Sequence, residues 1–262
     1  MVLLHLVDAF ADRAFTGNPA AVCLLDGPRP DTWMQSLAFE LGYSETAFVT
    51  RGEARWGLRW FSPTTEVALC GHATLAAAHV LWGLGRAQGP LEFETQHSGV
   101  LRCERDARVI SIDLPCGKLE QTPPPVGLLS ALGVRPVSLH KTEQNDYLVE
   151  LEDEDAIVRI APDLGALAHV QARGIAVTSR AKNPEFDFVS RFFAPAFGIP
   201  EDPVTGSAHC ALAPFWAARL DKVKLRARQL SQRGGVLEAE LRGDRVRLSG
   251  RAVTVFTGAL TV

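Results

Sequence analysis

The residue whose setting best suits acid–base chemistry is Glu45. It lies between Ser44 and the apolar stretch 46–49, close behind Gly42. We expect its carboxyl group to enter a partly apolar site, where desolvation raises the pKa of a carboxyl group. Such a group can both accept and donate a proton near neutral pH. The residues alone leave an alternative open, and composition favours it: a glutamate exposed at the edge of a strand.

Further polar residues lie at two predicted helix starts, Gly71 and Gly206. His72 directly follows Gly71, while Asp202 and Ser207 flank Gly206. The first turn of a helix has unpaired N–H groups and a partial positive charge, so it can bind an anion without a basic side chain. His72 either hydrogen-bonds a substrate or simply caps its helix. Ser207 is predicted to cap the second helix, and Asp202 to bind a substrate amine or His72.

No motif for a metal or a cofactor accompanies these residues. His72 and His79 are seven positions apart with no carboxylate between them, which is a poor arrangement for a metal. His79 and His209 lie further along their helices, and we expect both to be structural. Gly83 and Gly85 follow a helix rather than a strand, so they form no dinucleotide fingerprint. We therefore predict no metal and no cofactor, and an activity that survives treatment with a chelator.

Composition excludes several classes of protein. The chain has 262 residues, of which 47% are apolar and 22% charged, values typical of a soluble globular protein. Lys and Arg number 27 against 30 Asp and Glu, so no basic surplus exists to bind nucleic acid. No apolar run approaches the ~20 residues of a membrane span, and the first residues lack the basic region of a signal peptide. Five cysteines without CxxC spacing favour a reducing compartment. We expect a cytoplasmic protein that binds neither membrane nor nucleic acid.

The elements that must position the candidate residues are predicted from pattern and composition. The apolar stretches 3–9 and 20–25 predict buried strands. The alanine-rich stretch 71–82 is apolar on all sides, which predicts a buried helix. Asp31 is predicted to cap an earlier helix, and Gly42 to end that helix.

A proline-rich segment divides the chain into two predicted domains. Residues 121–125 include three consecutive prolines, which continue neither a helix nor a strand ladder and favour a stiff, extended spacer. We place the linker there, between an N-terminal half at 1–120 and a C-terminal half at 126–255.

Two segments of the first half recur in the second half. Residues 59–63 (RWFSP) match 191–195 (RFFAP), and residues 70–78 share one Gly and three Ala positions with 205–213. Alanine-rich helices can match by chance, but two matches in the same order at nearly the same spacing favour an internal duplication. We predict two similar halves, each of which directs a glycine-led helix start toward a common cleft.

Five segments, spread over nearly the whole chain, together carry a resemblance to a known family. They are FTGNPAAV at 15–22, GYSETAF at 42–48, RWFSP at 59–63, CGHAT at 70–74 and EDPVTGSAH at 201–209. In this order they resemble the PhzF-type phenazine-biosynthesis family, a branch of the diaminopimelate-epimerase-like fold. The resemblance implies an α+β fold of two pseudo-symmetric domains, each a curled, mostly antiparallel sheet around a central helix. It places the active site in the cleft between them and allows residues 256–262 to return to the first half.

The resemblance also implies an activity and the residues that perform it. It implies a cofactor-independent isomerase, similar to trans-2,3-dihydro-3-hydroxyanthranilate isomerase, that moves a proton between carbons of a small carboxylate-bearing metabolite. We expect a small anionic metabolite as the ligand and a homodimer as the assembly. The implied residues are Glu45 as the catalytic acid and base, with His72, Asp202 and Ser207 beside it, and substrate-binding positions at Gly71, Ala73, Gly206 and Ala208.

Two alternatives to this isomerase stay open. Racemases of the wider fold use two thiols, one from each half. Cys70 aligns with Thr205 in the second half, and Cys210 lies a turn too far along its helix, so a second thiol is missing. Cys70 is then expected to be a buried packing residue. A racemase or epimerase that uses Cys70 with Glu45 is the first alternative, and a non-catalytic small-molecule-binding protein is the second.

Overall fold

The computed structural model describes residues 2–261, which divide into two compact units. Unit 1 contains the described residues up to Leu114 together with those from Ser249 onward, and unit 2 is Pro115–Leu248. Elements are numbered along the whole chain. Within residues 2–261, none of the helices combines the length and the apolar character needed to cross a membrane.

Unit 1 is a curled mixed sheet around one buried helix. Its strands are β1 (Val2–Ala9), β2 (Asn18–Leu25), β3 (Thr46–Arg51), β4 (Trp56–Phe61), β5 (Glu66–Val67), β6 (Leu91–Thr95), β7 (Val100–Asp106), β8 (Val109–Pro115) and β18 (Ala252–Leu260), and its helices are α1 (Asp31–Leu41) and α2 (Gly71–Gly83). Strand β1 pairs antiparallel with both β18 and β2. Helix α2 packs against β1, β2, β3 and β18, and its first eight residues are all buried. Gly and Ala at these positions allow the strands to approach the helix closely.

Unit 2 has the same kind of architecture. Its strands are β9 (Leu119–Gln121), β10 (Ser138–Thr142), β11 (Asp146–Glu150), β12 (Gly174–Arg180), β13 (Phe188–Ala194), β14 (Ile199–Asp202), β15 (Lys224–Gln229), β16 (Gly235–Arg242) and β17 (Arg245–Gly250), and its helices are α3 (Leu128–Leu132), α4 (Glu154–Arg159), α5 (Leu164–Leu167) and α6 (Gly206–Leu220), with a 3-10 turn at Pro195–Phe197. Helix α6 packs against β15 and β16, and most of its residues are buried. Helices α3, α4 and α5 contribute to a separate apolar core with strands β10 to β13.

The two units repeat one strand topology. Along β1, β2, β3, β4, β6 and β7, neighbouring strands pair antiparallel, parallel, antiparallel, parallel and antiparallel. The same order of directions holds along β10, β11, β12, β13, β15 and β16. In each unit the buried helix follows the fourth strand of the series after one short strand. The predicted α+β fold of two pseudo-symmetric domains is confirmed.

Matching side chains support the repeat that the sequence predicted. Arg59 forms two hydrogen bonds with Glu66 at 2.7 Å, and its guanidinium lies 5.1 Å from the ring centre of Phe61. In unit 2, Arg191 pairs with Glu201 in the same two-bonded way and lies 4.9 Å from the ring centre of Phe193.

The boundary between the units differs from the predicted one. It lies between Leu114 and Pro115, so the predicted linker at 121–125 is part of unit 2. Strand β9 pairs with β10, and the N–H of Thr122 donates to the carbonyl of Leu139 at 3.2 Å. The prolines therefore end a ladder rather than separate two domains. The chain also returns to unit 1 at Ser249, earlier than the expected 256, because β18 pairs with β1 along its whole length.

One predicted helix cap is wrong and one helix end is confirmed. Helix α1 starts at Asp31 itself, with Pro30 in the cap position and no side-chain cap. The carboxylate of Asp31 instead accepts a hydrogen bond from Arg59 at 2.7 Å. Gly42 ends the helix as predicted, with a φ of 68° that favours glycine.

Candidate active site

Glu45 lies at the point where the chain leaves α1 and enters β3. The left-handed turn at Gly42 redirects the chain, and β3 starts at Thr46 between β2 and β4. The Glu45 carboxylate approaches the imidazole of His72, with 3.3 Å between its Oε2 and Nε2. Only 15% of the Glu45 side chain is exposed. The structure therefore brings together the two residues of unit 1 that the sequence predicted as catalytic.

His72 is the second residue of α2, and polar groups surround its buried ring. The Asn18 Nδ2 is 3.3 Å from Nδ1, and the Ser44 Oγ is 3.5 Å from Nε2. The Cys70 Sγ is 3.5 Å from Nδ1. With the Asn18 amide nitrogen as the donor, Nδ1 is the acceptor, and Nε2 holds the hydrogen that faces Glu45.

Asn18 and Ser44 were not predicted as site residues. Both lie within segments that carry the family resemblance, so those segments were the available signal. Asn18 is fully buried and follows Gly17, whose φ is 69°. A Cβ at Gly17 would lie 2.2 Å from the carbonyl oxygen of Ala9, so only glycine allows this close approach. The turn thus fixes Asn18 beside the His72 ring.

The start of α2 lacks a side-chain cap. Cys70 precedes the helix in an extended conformation, and its side chain accepts no capping hydrogen bond. Thr74 Oγ1 donates to the carbonyl of Cys70 at 2.6 Å. This bond joins the fourth residue of α2 to the residue before the helix and so fixes the first turn. Gly71 and Ala73 are buried and carry no polar side chain. Their role in substrate binding, which rests on the N–H groups of this turn, stays a prediction.

In unit 2, Asp202 belongs to a buried hydrogen-bond network before α6. The Thr205 hydroxyl donates to the Asp202 carboxylate. Gln229 Nε2 donates to the Asp202 carbonyl at 2.7 Å, and the Thr205 N–H donates to Gln229 Oε1 at 2.9 Å. The network fixes the loop from which α6 begins at Gly206, beside the other predicted position, Ala208.

Ser207 does not cap α6, contrary to the prediction. The helix starts at Gly206, with Thr205 in the cap position, so Ser207 is its second residue. Its Oγ lies 3.3 Å from both terminal nitrogens of Arg173, which donate to it. Arg173 also pairs with the buried carboxylate of Asp146. Arg173 was missed because nothing in its local sequence sets it apart from a surface arginine before a strand.

Burial shifts the pKa of two residues of unit 2, Asp146 and His209. Desolvation raises the pKa of Asp146 above its ordinary value, and the charge of Arg173 opposes that rise. His209 is fully buried, which lowers its pKa to about 4. Its Nδ1 lies 2.7 Å from the carbonyl oxygen of Thr205, and its ring stacks on Phe188. These contacts support the structural role expected for His209.

Cys210, the thiol of α6, is unsuited to proton transfer. Burial raises the pKa of its thiol to about 12, and Sγ donates to the carbonyl of Gly206 at 3.6 Å. His79, in unit 1, contacts the Thr254 hydroxyl at 3.0 Å, and burial lowers its pKa. Cys210 thus bonds within α6, and His79 joins α2 to β18.

Comparison with known proteins defines first a class and then a family. The fold is that of the diaminopimelate-epimerase-like isomerases and epimerases. Residues 7–258 match the model of the PhzC-PhzF family, described as phenazine biosynthesis-like protein, and the chain belongs to this family.

Similar proteins match over nearly their full length. A Pseudomonas aeruginosa protein named uncharacterized isomerase is 50% identical over 258 residues, which cover 98% of this chain and 97% of that protein. A protein of the same name from Halalkalibacterium halodurans is 45% identical over 260 residues, with the same coverage. A PhzF-family crystal structure from Enterococcus faecalis is 38% identical, with a TM-score of 0.94 over 100% of this chain and 99% of that chain.

Proposed function

We propose that this protein is a cofactor-independent isomerase that moves a proton between two carbons of a small carboxylate-bearing metabolite. The observation that carries the proposal is the contact of the partly buried Glu45 with the buried His72, with 3.3 Å between carboxylate oxygen and imidazole nitrogen. The names of the bacterial relatives, uncharacterized isomerase, support the same reaction class.

Glu45 acts first as the base and then as the acid. Its carboxylate takes a proton from one carbon, and the electron pair of the broken C–H bond delocalises toward the substrate carboxylate. The protonated Glu45 then returns the proton to a second carbon, which restores both the carboxylate and the charge of the substrate. His72 donates from Nε2 to Glu45 and fixes its orientation. Restricted solvent access strengthens this hydrogen bond.

The helix starts suit a substrate that carries a carboxylate. The first turn of α2 has no side-chain cap, so its N–H groups are a suitable anion-binding site next to Glu45. A negative charge that develops during proton transfer is stabilised by the same groups. In unit 2, Asp202 and Ser207 are proposed as substrate-binding residues. We propose a reaction similar to that of trans-2,3-dihydro-3-hydroxyanthranilate isomerase.

One observation favours a second candidate, an amino-acid racemase or epimerase that uses Cys70 with Glu45. The Cys70 Sγ is 3.5 Å from Nδ1 of His72 and lies within 4.8 Å of a Glu45 carboxylate oxygen. The candidate is weaker because Thr205 occupies the equivalent position before α6 and the pKa of Cys210 is far above neutral. Unit 2 thus supplies no second thiol at its helix start.

Deuterium incorporation from solvent tests the function. The protein is incubated in deuterated water with trans-2,3-dihydro-3-hydroxyanthranilate and, in parallel, with a panel of L-amino acids. The isomerase proposal predicts a rearranged product that carries solvent deuterium on carbon, and unchanged amino acids. Deuterium at the α-carbon of an amino acid, with formation of its D-isomer, would favour the epimerase. Binding of these acids without any exchange would favour a non-catalytic protein.

A further inference from the structure

Arg173 of unit 2 is anchored from several sides just before β12. Its N–H donates to the carbonyl of Asn145 at 2.8 Å, and its guanidinium pairs with the buried carboxylate of Asp146. The guanidinium also lies 6.0 Å from the ring centre of Phe192. Glycine at position 174 makes room for that ring, because a Cβ at Gly174 would lie 2.0 Å from its Cζ. These contacts hold the guanidinium in one place.

The guanidinium determines which role the hydroxyl of Ser207 can take. Both terminal nitrogens of Arg173 lie 3.3 Å from Oγ of Ser207. A guanidinium has donors only, whereas a hydroxyl has one hydrogen and two lone pairs. The oxygen of Ser207 is therefore the acceptor toward Arg173, and its hydrogen points elsewhere. Within residues 2–261 no carbonyl or side chain accepts that hydrogen, so Ser207 is available to donate to a ligand.

The start of α6 offers further donors beside this hydroxyl. The helix spans Gly206–Leu220, and no side chain caps its first turn. Its first N–H groups and the partial positive charge of the helix start favour an acceptor with negative charge. A carboxylate accepts hydrogen bonds on both oxygens and donates none. An ammonium group would meet only donors from Ser207 and these N–H groups, so the arrangement favours a carboxylate over an amine.

The pairing with Asp146 explains why an arginine is needed here. The side chain of Asp146 is 5% exposed, and its negative charge offsets the positive charge of Arg173. Arg173 therefore acts on Ser207 through hydrogen bonds rather than as an unpaired charge. The planar fork of a guanidinium can bind both partners at once, whereas lysine has a single nitrogen. A lysine that pairs with Asp146 would leave the orientation of Ser207 undetermined.

We infer that Arg173 is a positioning residue, which holds the Ser207 hydroxyl as a hydrogen-bond donor to the carboxylate of a ligand. Arg173 acts through Ser207 and does not itself have to contact the ligand. The inference rests on the proposed function for the class of substrate. It adds to that function the residue that orients Ser207 and the ligand group that Ser207 binds.

Calorimetric titration of the full chain with two matched probes tests the inference without turnover. The probes are anthranilate and anthranilamide, in which a neutral amide replaces the carboxylate. We expect the wild type to bind anthranilate more tightly than anthranilamide. Ser207→Ala and Arg173→Lys should each raise the Kd of anthranilate by about 2- to 12-fold, the range expected for one hydrogen bond. In a protein that already carries Ser207→Ala, Arg173→Lys should have no further effect.

Three control variants separate a positioning role from a structural one. Arg180→Lys changes an exposed arginine at the end of β12 and should leave the Kd of anthranilate unchanged. Ser207→Thr keeps the hydroxyl and should bind anthranilate nearly as tightly as the wild type. If Arg173→Lys does not fold, Arg173→Gln combined with Asp146→Asn decides, because it removes both charges of the pair together. This double variant should raise the Kd by the same factor.

The outcomes separate this inference from the proposed function. An unchanged Kd in Arg173→Lys, or an equal rise with and without Ser207→Ala, would overturn the positioning role. Equal binding of the two probes, or no binding of anthranilate to the wild type, would overturn the carboxylate as the ligand group. Anthranilate binding that depends on both Arg173 and Ser207 supports the inference. If the wild type shows that binding but no deuterium exchange with the proposed substrate, only the proposed isomerase is contradicted.

Discussion

The starts of α2 and α6 share their supporting bonds and differ in the groups that they present. In unit 1, the Thr74 side chain donates to the carbonyl of Cys70, the residue before the helix, at 2.6 Å. In unit 2, the His209 side chain contacts the carbonyl of Thr205 in the same way at 2.7 Å. Both bonds join the fourth residue of a helix to the residue before it.

The second residue of each helix marks the difference. In α2 it is His72, which contacts the carboxylate of Glu45. In α6 it is Ser207, which accepts hydrogen bonds from Arg173. A carboxylate held by an imidazole suits proton transfer, whereas a hydroxyl held by a guanidinium suits hydrogen bonding to a ligand. The two units thus share the bonds that fix the backbone at these helix starts, while the side chains of the second residues differ.

The largest expected effect is that of Glu45→Gln on turnover. The amide keeps the shape of the side chain but cannot accept a proton from carbon, so kcat should fall by about 10²–10⁴ while KM changes little. Steady-state kinetics measure both constants. The control is Glu40→Gln, which changes an exposed carboxylate at the end of α1 and should leave kcat unchanged. Full activity of Glu45→Gln would remove the acid–base role from Glu45.

The second prediction uses the buried histidine of α6. His209 has a pKa of about 4 in the folded protein against an ordinary value of 6.5. Between these pH values the unfolded chain binds a proton that the folded chain does not, so acid favours unfolding. The contribution of His209 to the free energy of unfolding should therefore fall as the pH is lowered from 6.5, by about 3 kcal/mol at pH 4. Urea unfolding at a series of pH values measures this slope.

Two variants show whether His209 causes the slope. His209→Gln should make the pH dependence shallower, because the amide does not titrate. The slope that remains comes from other histidines whose pKa burial lowers, such as His79. His97→Gln changes an exposed histidine of unit 1 and should retain the full slope. An unchanged slope in His209→Gln would show that other groups take up the proton.

The third prediction concerns the paired arginines of the repeat. The Arg191 side chain is 13% exposed and also donates to the carbonyls of Ile157 and Ile160. The Arg59 side chain is 25% exposed and also donates to the exposed carboxylate of Asp31. Lysine cannot replace all of these bonds. We expect Arg191→Lys to lower the free energy of unfolding by about 2 kcal/mol, and Arg59→Lys by about 1 kcal/mol or less. Equal losses in urea unfolding would show that the two clusters are energetically equivalent.

The smallest expected effect is that of Ser207→Ala on substrate binding. If the hydroxyl of Ser207 binds substrate, its removal costs one hydrogen bond of about 0.5–1.5 kcal/mol. KM should then rise by about 2- to 12-fold, with little change in kcat. Steady-state kinetics test this, and a large loss of kcat with constant KM would give unit 2 a part in proton transfer.

Runs of apolar residues in the sequence predicted these strands and the central helix of unit 1, because the same residues are buried in the folded protein. The stretches 3–9 and 20–25 are observed as β1 and β2, and the apolar stretch 71–82 as α2. The boundary at 121–125 was wrong because proline only shows where a ladder must end. It does not show which sheet the preceding residues join. That depends on the pairing of β9 with β10, a contact between distant parts of the sequence.

The site was predictable only in part. The resemblance identified Glu45 and His72, and the structure places them in contact. Caps at Asp31 and Ser207 were wrong because arginines distant in sequence, Arg59 and Arg173, bind those side chains instead. The contact of Cys70 with His72 also escaped prediction, since it depends on how the extended residue before α2 turns its side chain.

The most direct test of the central claim compares two variants, Glu45→Gln and Cys70→Ser. The quantity measured is the rate at which each incorporates solvent deuterium on a carbon of the substrate. The two side chains flank the same imidazole, so the comparison assigns the proton transfer to one of them. The account predicts that Glu45→Gln loses exchange by at least about 10²-fold, while Cys70→Ser exchanges at nearly the wild-type rate. The reverse pattern, with exchange lost in Cys70→Ser and kept in Glu45→Gln, would contradict it.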